Sequence, residues 1–536
     1  MNLKTILTPA LAALCGIGLQ PGACASPHTI TLEALSSVST APRNNGATPP
    51  VLSPPGAALV VVHDPVLQRL LVVNQAKARI DIFGIANPSA PITLPGLDMS
   101  SYGTLVTSVA IKDDLLAVAM TGTKVTDPGS VVFFNHALEH LQTVTVGALP
   151  DMITFTPSGR YLLAGNEGEP ADDYTVDPAG SITRIDVLHE WDVTTIGFES
   201  FNDQAAHLRA QGVHLVGPNA SVAQDLEPEY IAVSKNSDVA WVTLQENNAV
   251  AIVNINEAKV TNIVGLGTKD HSLAANAFDA SDRDSAKGTG SINIRTWPVR
   301  ALYQPDGIAS LRIAGNDYLV IANEGSARDA AGPGNEAARL GTLTLDPVLF
   351  PDAASLKLNA QLGRLNVSKF AGDTDGDGDI DVIKTFGGRS FSILSASGQM
   401  LWDSGSQFES IIAAQEPLFF NSANTANNFD DRSDDKGPEP EGVAVGKAFG
   451  KYYAFIGLER VSGVMVYDIS TPTAPVFVEY VNNRDFTVAP ALPAAGDLGS
   501  EGLTFIKAED SPNGSPLLVV ANEVSGTTTL YELVKK

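Results

Sequence analysis

EPEYIAVSKNSDVAWVTLQENNAVAIVNI, residues 227–255, decides the fold. Its apolar runs YIAV, VAWVTL and AVAIVNI are too short for helices, and KNSD and QENN between them are turn-forming. It reads as strand, tight turn, strand, loop, strand. Apolar residues alternate in AVAIVNI, as in a strand with one face packed on a neighbour.

The same unit recurs along the chain, at about 57–98, 103–148, 150–198, 228–266, 440–482 and 500–535. Another begins near 305 with GIASLRIAGNDYLVIANEG, and its third strand is delayed until SFSIL at 390–394. Short strands repeated at this period predict an all-β chain folded as a seven-bladed β-propeller of the YVTN/WD40-like type. Six or eight blades stay open, because the first two units have the weakest signatures. The last unit has three clear strands, so HTITLEALSSV at 28–38 is expected to supply its outer strand and close the ring. Insertions at about 199–227, 267–303 and 325–388 read as loops, the first with a short helix at DQAAHLRAQ. The expectation is one propeller domain over 26–536, after a segment at 1–25.

A carboxylate returns at two places in the unit. One precedes the first strand: Asp151, Glu229, Asp306, Glu441 and Glu501. The other follows the second strand: Glu167, Glu246, Glu324, Glu459 and Glu523. In a propeller both places open on one face, so ten acids would ring one mouth. Crowded carboxylates raise one another's pKa unless a cation neutralises them. Ca²⁺, which takes six to eight oxygens, suits such a ring, as would another divalent metal. Local turn capping is the plainer reading of any single acid.

The sharpest motif is Asp373-Thr-Asp375-Gly-Asp377-Gly-Asp379-Ile-Asp381. Oxygens at its positions one, three, five and nine, with glycine at six, match a calcium loop. Position twelve is Lys384, where an EF-hand has Glu, so the run reads as a shorter loop that binds Ca²⁺ and pins the long insertion. A secondary acidic loop holds Asp279, Asp282 and Asp284, with Asp270 nearby. His136 and His140 stand four apart without a third zinc ligand in view, and read as a surface turn.

The 536 residues carry 60 acids against 34 Lys and Arg, a formal charge of −26. Nucleic acid is excluded as a partner, because phosphate backbones need clustered cations. Lys4, the apolar run Ile6 to Leu19 and Ala23-Cys24-Ala25 read as a signal peptide over 1–25. Both cysteines, Cys15 and Cys24, lie inside it, which removes thiol catalysis from the mature chain. A lipoprotein reading through Cys24 lacks the leucine three residues earlier. No later stretch reaches the roughly 18 apolar residues of a spanning helix, and the terminal YELVKK reads as no anchor. The expectation is a periplasmic or secreted protein.

No G-x-S-x-G elbow and no Walker loop occurs. Hydrolysis would therefore need metal-activated water. Arg328, Arg389 and Lys436 are the cations placed to meet a phosphate, and Arg328, Arg389, Glu441 and Glu324 are the candidate catalytic residues.

Taken together, LPDMITFTPSGRYLLAGNEGEPADDYTVDPAGSITRIDV, AWVTLQENNAVAIV, KDHSLAANAFDASDRD, INIRTWPVRALYQPDGIA, TFGGRSFSIL and DDKGPEPEGV resemble the choice-of-anchor I family across about 29–535. The resemblance implies a bacterial extracytoplasmic propeller. Similar proteins carry either an alkaline-phosphatase or a cell-surface glycoprotein label. Members often end in a sorting segment, for which this chain has no counterpart. A looser likeness to propeller phytases, which hold Ca²⁺ on mouth carboxylates, is one of style and transfers no residue. Two functions follow as expectations. One is a metal-dependent phosphoesterase acting on a phosphorylated small molecule. The other is a non-catalytic binding or scaffold propeller, stabilised by calcium, with an envelope or extracellular ligand.

Overall fold

A computed structural model describes residues 30–40, 52, 56–328 and 334–536. The expected signal peptide and both cysteines fall outside the described residues.

The fold is all-β. The described residues form seven four-stranded antiparallel sheets and one five-stranded sheet. In chain order the seven span 61–98, 106–148, 150–197, 228–265, 308–403, 440–481 and 500–535. Each is a meander. The second strands, such as Leu115–Met120, Tyr161–Asn166 and Leu517–Asn522, are almost wholly buried, which explains their unbroken apolar sequences. The outer strands, such as Ile92–Asp98 and Asp192–Gly197, face solvent and carry the weakest hydrophobic signal.

Apolar clusters fill the spaces between successive sheets. Leu71, Ile80 and Val118 join the first sheet to the second. Phe133, Val146 and Leu162 join the second to the third. The series continues through all seven and ends with Ala58, Leu70 and Val72 of the first sheet packed on Ile506, Leu517 and Leu530 of the seventh. The expected N-terminal strand is Ile30–Ser39, outermost in the seventh sheet, where Ile30 faces Lys535 and Ser39 faces Thr527. The delayed third strand of the fifth sheet is Ser390–Ser395, beside Asn316–Asn323.

The two long insertions are more ordered than loops. Thr268–Asp270, Val299–Leu302, Ile383–Thr385, Asn366–Ser368 and Ala337–Arg339 build the five-stranded sheet. It has its own core, including Phe278, Trp297, Leu340, Leu362 and Ile380. The first insertion holds the short helices Ala205–Ala210 and Val222–Asp225.

Candidate functional site

In five of the seven four-stranded sheets the first strand begins with an irregularity, and in four of these an acid sits in it. Pairing skips between Pro150 and Met152, Pro228 and Ile231, Pro440 and Val443, and Ser500 and Leu503. These bulges hold Asp151, Glu229, Glu441 and Glu501. A bulge frees the strand from its ladder and re-aims one side chain. A left-handed residue lies two positions before the acid in four units: Leu149, Gln304, Glu439 and Gly499. The glycine after the acid is needed for close packing. A Cβ on Gly307 would lie 2.6 Å from the Glu441 carbonyl oxygen, and one on Gly442 would lie 1.9 Å from that of Glu501. The starts of neighbouring first strands thus touch through acid-glycine pairs.

Three acids of the second set, Glu167, Glu324 and Glu523, follow strands that end in a buried asparagine. Asn166 and Asn323 are fully buried and donate to Ser and Thr hydroxyls of the third strand, which fixes the turns bearing Glu167 and Glu324. In the first sheet Asn74 is followed by Gln75, so a neutral amide occupies the acid's place.

These devices converge on a cavity of about 270 Å³ where the first strands meet. Asp151, Glu229, Asp306, Glu441 and Glu501 line it, with Glu324 from the second set. Gln75, Val60 and Thr107 complete the side facing the first two sheets, so the charge is lopsided. Tyr230 lines both this cavity and a second one of about 460 Å³, to which Met152, Ile308, Val443 and Leu503 contribute. Asp306, Glu324 and Glu441 bring one oxygen each within 4.8 Å of the others. Asp306 hydrogen-bonds Glu441, and Gln245 Nε2 donates to Glu324 Oε2 at 2.7 Å.

Among the described residues, Asp151, Glu229, Asp306, Glu441 and Glu501 have no ion-pair partner. Burial, then mutual repulsion, raises their pKa values: Asp151 to about 6, Asp306 to about 7, and Glu229, Glu441 and Glu501 well above the usual carboxylate range. Burial also lifts Glu523. Glu459 is pushed up to about 8, burial outweighing its 2.8 Å pair with Arg460.

Glu167 and Glu246 line a separate pocket of about 230 Å³ with Glu169, Asp172, Glu227 and Arg328. Burial, then Glu227 and Glu246, hold Glu167 well above its ordinary pKa. Arg328 is clamped by Glu227 and by Asp225, 2.8 Å away. Lys436 bonds Glu324 and lies 2.9 Å from Glu439, at the edge of the acidic cavity. Arg389 is elsewhere: only 3% exposed, it pairs with Glu409 at 2.7 Å and donates to the carbonyls of Asp279, Ser433 and Asp435.

The run at 373–381 is a surface loop turned by Gly376 and Gly378, both at positive φ. Asp373 accepts from the amides of Gly376 and Gly378, and Asp381 from Thr374. Asp373, Asp375 and Asp381 group within 4.8 Å, as do Asp379 and Asp381 with Asp346, which the motif did not include. Asp377 belongs to neither group. The secondary acidic loop does not converge on the mouth. Asp270 pairs with Arg300, Asp282 with Arg364, Asp284 accepts from Ser291, and Asp279 accepts from the amide of Asn293. His136 lies near Asp64 and Asp114, whereas His140 bonds Thr143.

Sequence reasoning missed Glu227 and Glu439. Both open an E-P-E triplet, 227–229 and 439–441, and both are buried against cations, at 2% and 0% exposure. The doubled triplet was the signal. Its first acid holds a cation and its second faces the cavity.

A family model, the choice-of-anchor I domain, matches residues 60–472. The chain belongs to the choice-of-anchor I family. Gigasin-3a of Magallana gigas is 33% identical over 191 residues, which is 33% of this chain and 67% of that protein. The mesenchyme-specific cell surface glycoprotein of Strongylocentrotus purpuratus is 30% identical over 321 residues, 52% of this chain and 40% of that protein. Among solved structures, Kuenenia stuttgartiensis hydrazine synthase aligns over 91% of this chain and 97% of its own, with 12% identity and a TM-score of 0.46. The RRP9 WD40 repeats align over 96% and 99%, with 10% identity and a TM-score of 0.46. Among the described residues, no helix of this choice-of-anchor I protein is long and apolar enough to cross a membrane.

Proposed function

We propose that this choice-of-anchor I protein is an exported seven-bladed propeller, closed by strand Ile30–Ser39, whose mouth binds divalent metal of the calcium class and hydrolyses phosphoric esters. One observation carries the reading: five carboxylates, Asp306 buried and the other four partly buried, line the cavity where the first strands meet, with no ion-pair partner among the described residues.

The donor set fits a hard cation. Asp306, Glu324 and Glu441 supply clustered oxygens, and Glu441 Oε2 is buried without a hydrogen-bond partner. A bound ion there would polarise a phosphoryl oxygen and lower the pKa of a water. Gln245 and Lys436 each hold one oxygen of the Glu324 carboxylate and so orient it. Arg328, held by Asp225 and Glu227, is the better placed of the two candidate arginines to face developing negative charge, because Arg389 is bonded deep in the insertion. The loop at 373–381, with Asp346, is a second calcium site whose role is to pin that insertion.

The test is turnover of a chromogenic phosphomonoester by the mature protein, with calcium and after chelation. Activity that chelation abolishes and calcium restores is expected. A calcium-saturated protein inactive at every pH refutes the catalytic part. The Strongylocentrotus purpuratus relative, a cell surface glycoprotein, favours a second reading, a calcium-stabilised scaffold that binds an envelope or extracellular ligand. That reading expects calcium to raise the melting temperature without any turnover.

A further inference from the structure

We propose that the pocket beside Glu324, about 400 Å³ and lined by Arg432, Lys436 and Arg460, is a binding site for a tetrahedral oxyanion, the phosphoryl group of the ester. The inference rests on the metal-dependent reading for its place in a reaction, and on its own geometry for binding.

Three cations are gathered there by one carboxylate. Glu439 is fully buried and receives Arg432 on Oε1, and Lys436 and Arg460 on Oε2 at 2.9 Å each. Burial alone would raise its pKa, yet the three cations hold it well below the usual carboxylate range. Asp435 takes a second bond from Arg432 at 2.6 Å. Asp435 and Glu439 thus meet the three cations, with Glu324 on Lys436 and Glu459 on Arg460, so an anion would be held by the donors these four acids leave unused.

Donors are left over. Arg432 Nη1 and Arg460 Nη2 have no hydrogen bond to a described residue, and the two side chains are 22% and 26% exposed. A guanidinium fork with a spare terminal nitrogen matches an oxyanion, and the Glu439 anchor removes the entropy of holding it in place. Glu324 joins the two sites. It contacts Lys436 on one side and clusters with Asp306 and Glu441 on the other. An oxyanion between the arginines would lie next to the acidic cluster, so a phosphate ester is held by cations on one side and metal on the other. Glu439 is thus a positioning residue.

Binding of inorganic phosphate to the full chain, followed by titration calorimetry with and without calcium, tests this. Saturable binding is expected, weakened about tenfold or more by Arg432→Met and by Arg460→Met. Arg312→Met, which removes only a surface pair with Asp317, should leave it unchanged. No saturable binding in either condition, or binding undiminished in both arginine variants, overturns the proposal. Should either variant fail to fold, wild-type protein decides: phosphate must protect Arg432 and Arg460, and not Arg312, from a dicarbonyl reagent, and absence of protection overturns the site. Neither measurement uses turnover. An inactive protein that binds phosphate through these arginines refutes the catalytic reading alone, and an active one that does not refutes this site alone.

Discussion

Asp306→Asn should have opposite effects on stability in the absence and presence of calcium. Asp306 is 8% exposed, close to Glu324 and Glu441, and its pKa is pushed from 3.8 to about 7. That gap, 7 − 3.8, costs the folded anion roughly 4 kcal/mol at about 1.36 kcal/mol per pH unit. A carboxyl with a raised folded pKa contributes stability that is full below its unfolded value and lost as pH rises through the folded value. At about pH 8 the whole cost is therefore expressed. Asparagine keeps the shape and removes the charge. Neighbouring acids share the repulsion, so about 1–3 kcal/mol should be recovered in chelator, or about 1–3 °C in melting temperature for a chain this long. With calcium the order reverses, because the variant lacks one ligand. Scanning calorimetry of both proteins with chelator and with calcium reads this directly. Equal destabilisation in both conditions would mean that Asp306 merely caps its turn, and would refute the reasoning.

Three further outcomes follow. Asp151, Asp306 and Glu459, raised to about 6, 7 and 8, should make the chelated protein lose stability as pH rises from about 5 to 8, and calcium should flatten that slope; a flat chelated profile contradicts it. Deleting 30–40 removes the outer strand of the seventh sheet and uncovers Tyr531 and Leu533, so rapid proteolysis and aggregation on size exclusion are expected, and an unchanged melting temperature would contradict the strand's role. Glu439→Gln leaves three cations around a neutral buried side chain and should cost about 3–5 kcal/mol in denaturant unfolding, whereas a loss under about 1 kcal/mol contradicts the hub.

The seven sheets were legible because their second and third strands are buried on both faces, which writes LLVV-type runs at a steady period. The acids were legible because their places before the first strand and after the second recur with the repeat, four of them in a recurring bulge. Strand Ile30–Ser39 and the delayed Ser390–Ser395 kept the same alternation and were found at nearly their true bounds. The five-stranded sheet left no such trace. Its strands are three or four residues long, and Val299–Leu302 pairs in parallel with Ile383–Thr385, more than eighty residues away. Arg389 followed a glycine turn in sequence like a ligand residue, but Glu409 on the helix Gln407–Gln415 draws it inward. The cation hub was hidden for the same reason. Arg432, Lys436, Glu439 and Arg460 meet through turns that periodicity does not describe.

The central claim is that the mouth carboxylates hold metal. Calcium bound per chain, counted by equilibrium dialysis with elemental analysis, tests it most directly when wild type is compared with Asp306→Asn, Glu441→Gln and the loop variant Asp381→Asn. The account predicts that each mouth variant loses at least one ion while the loop variant loses a different one, additively in the combination. Unchanged calcium in both mouth variants, with the folded state intact, would contradict it.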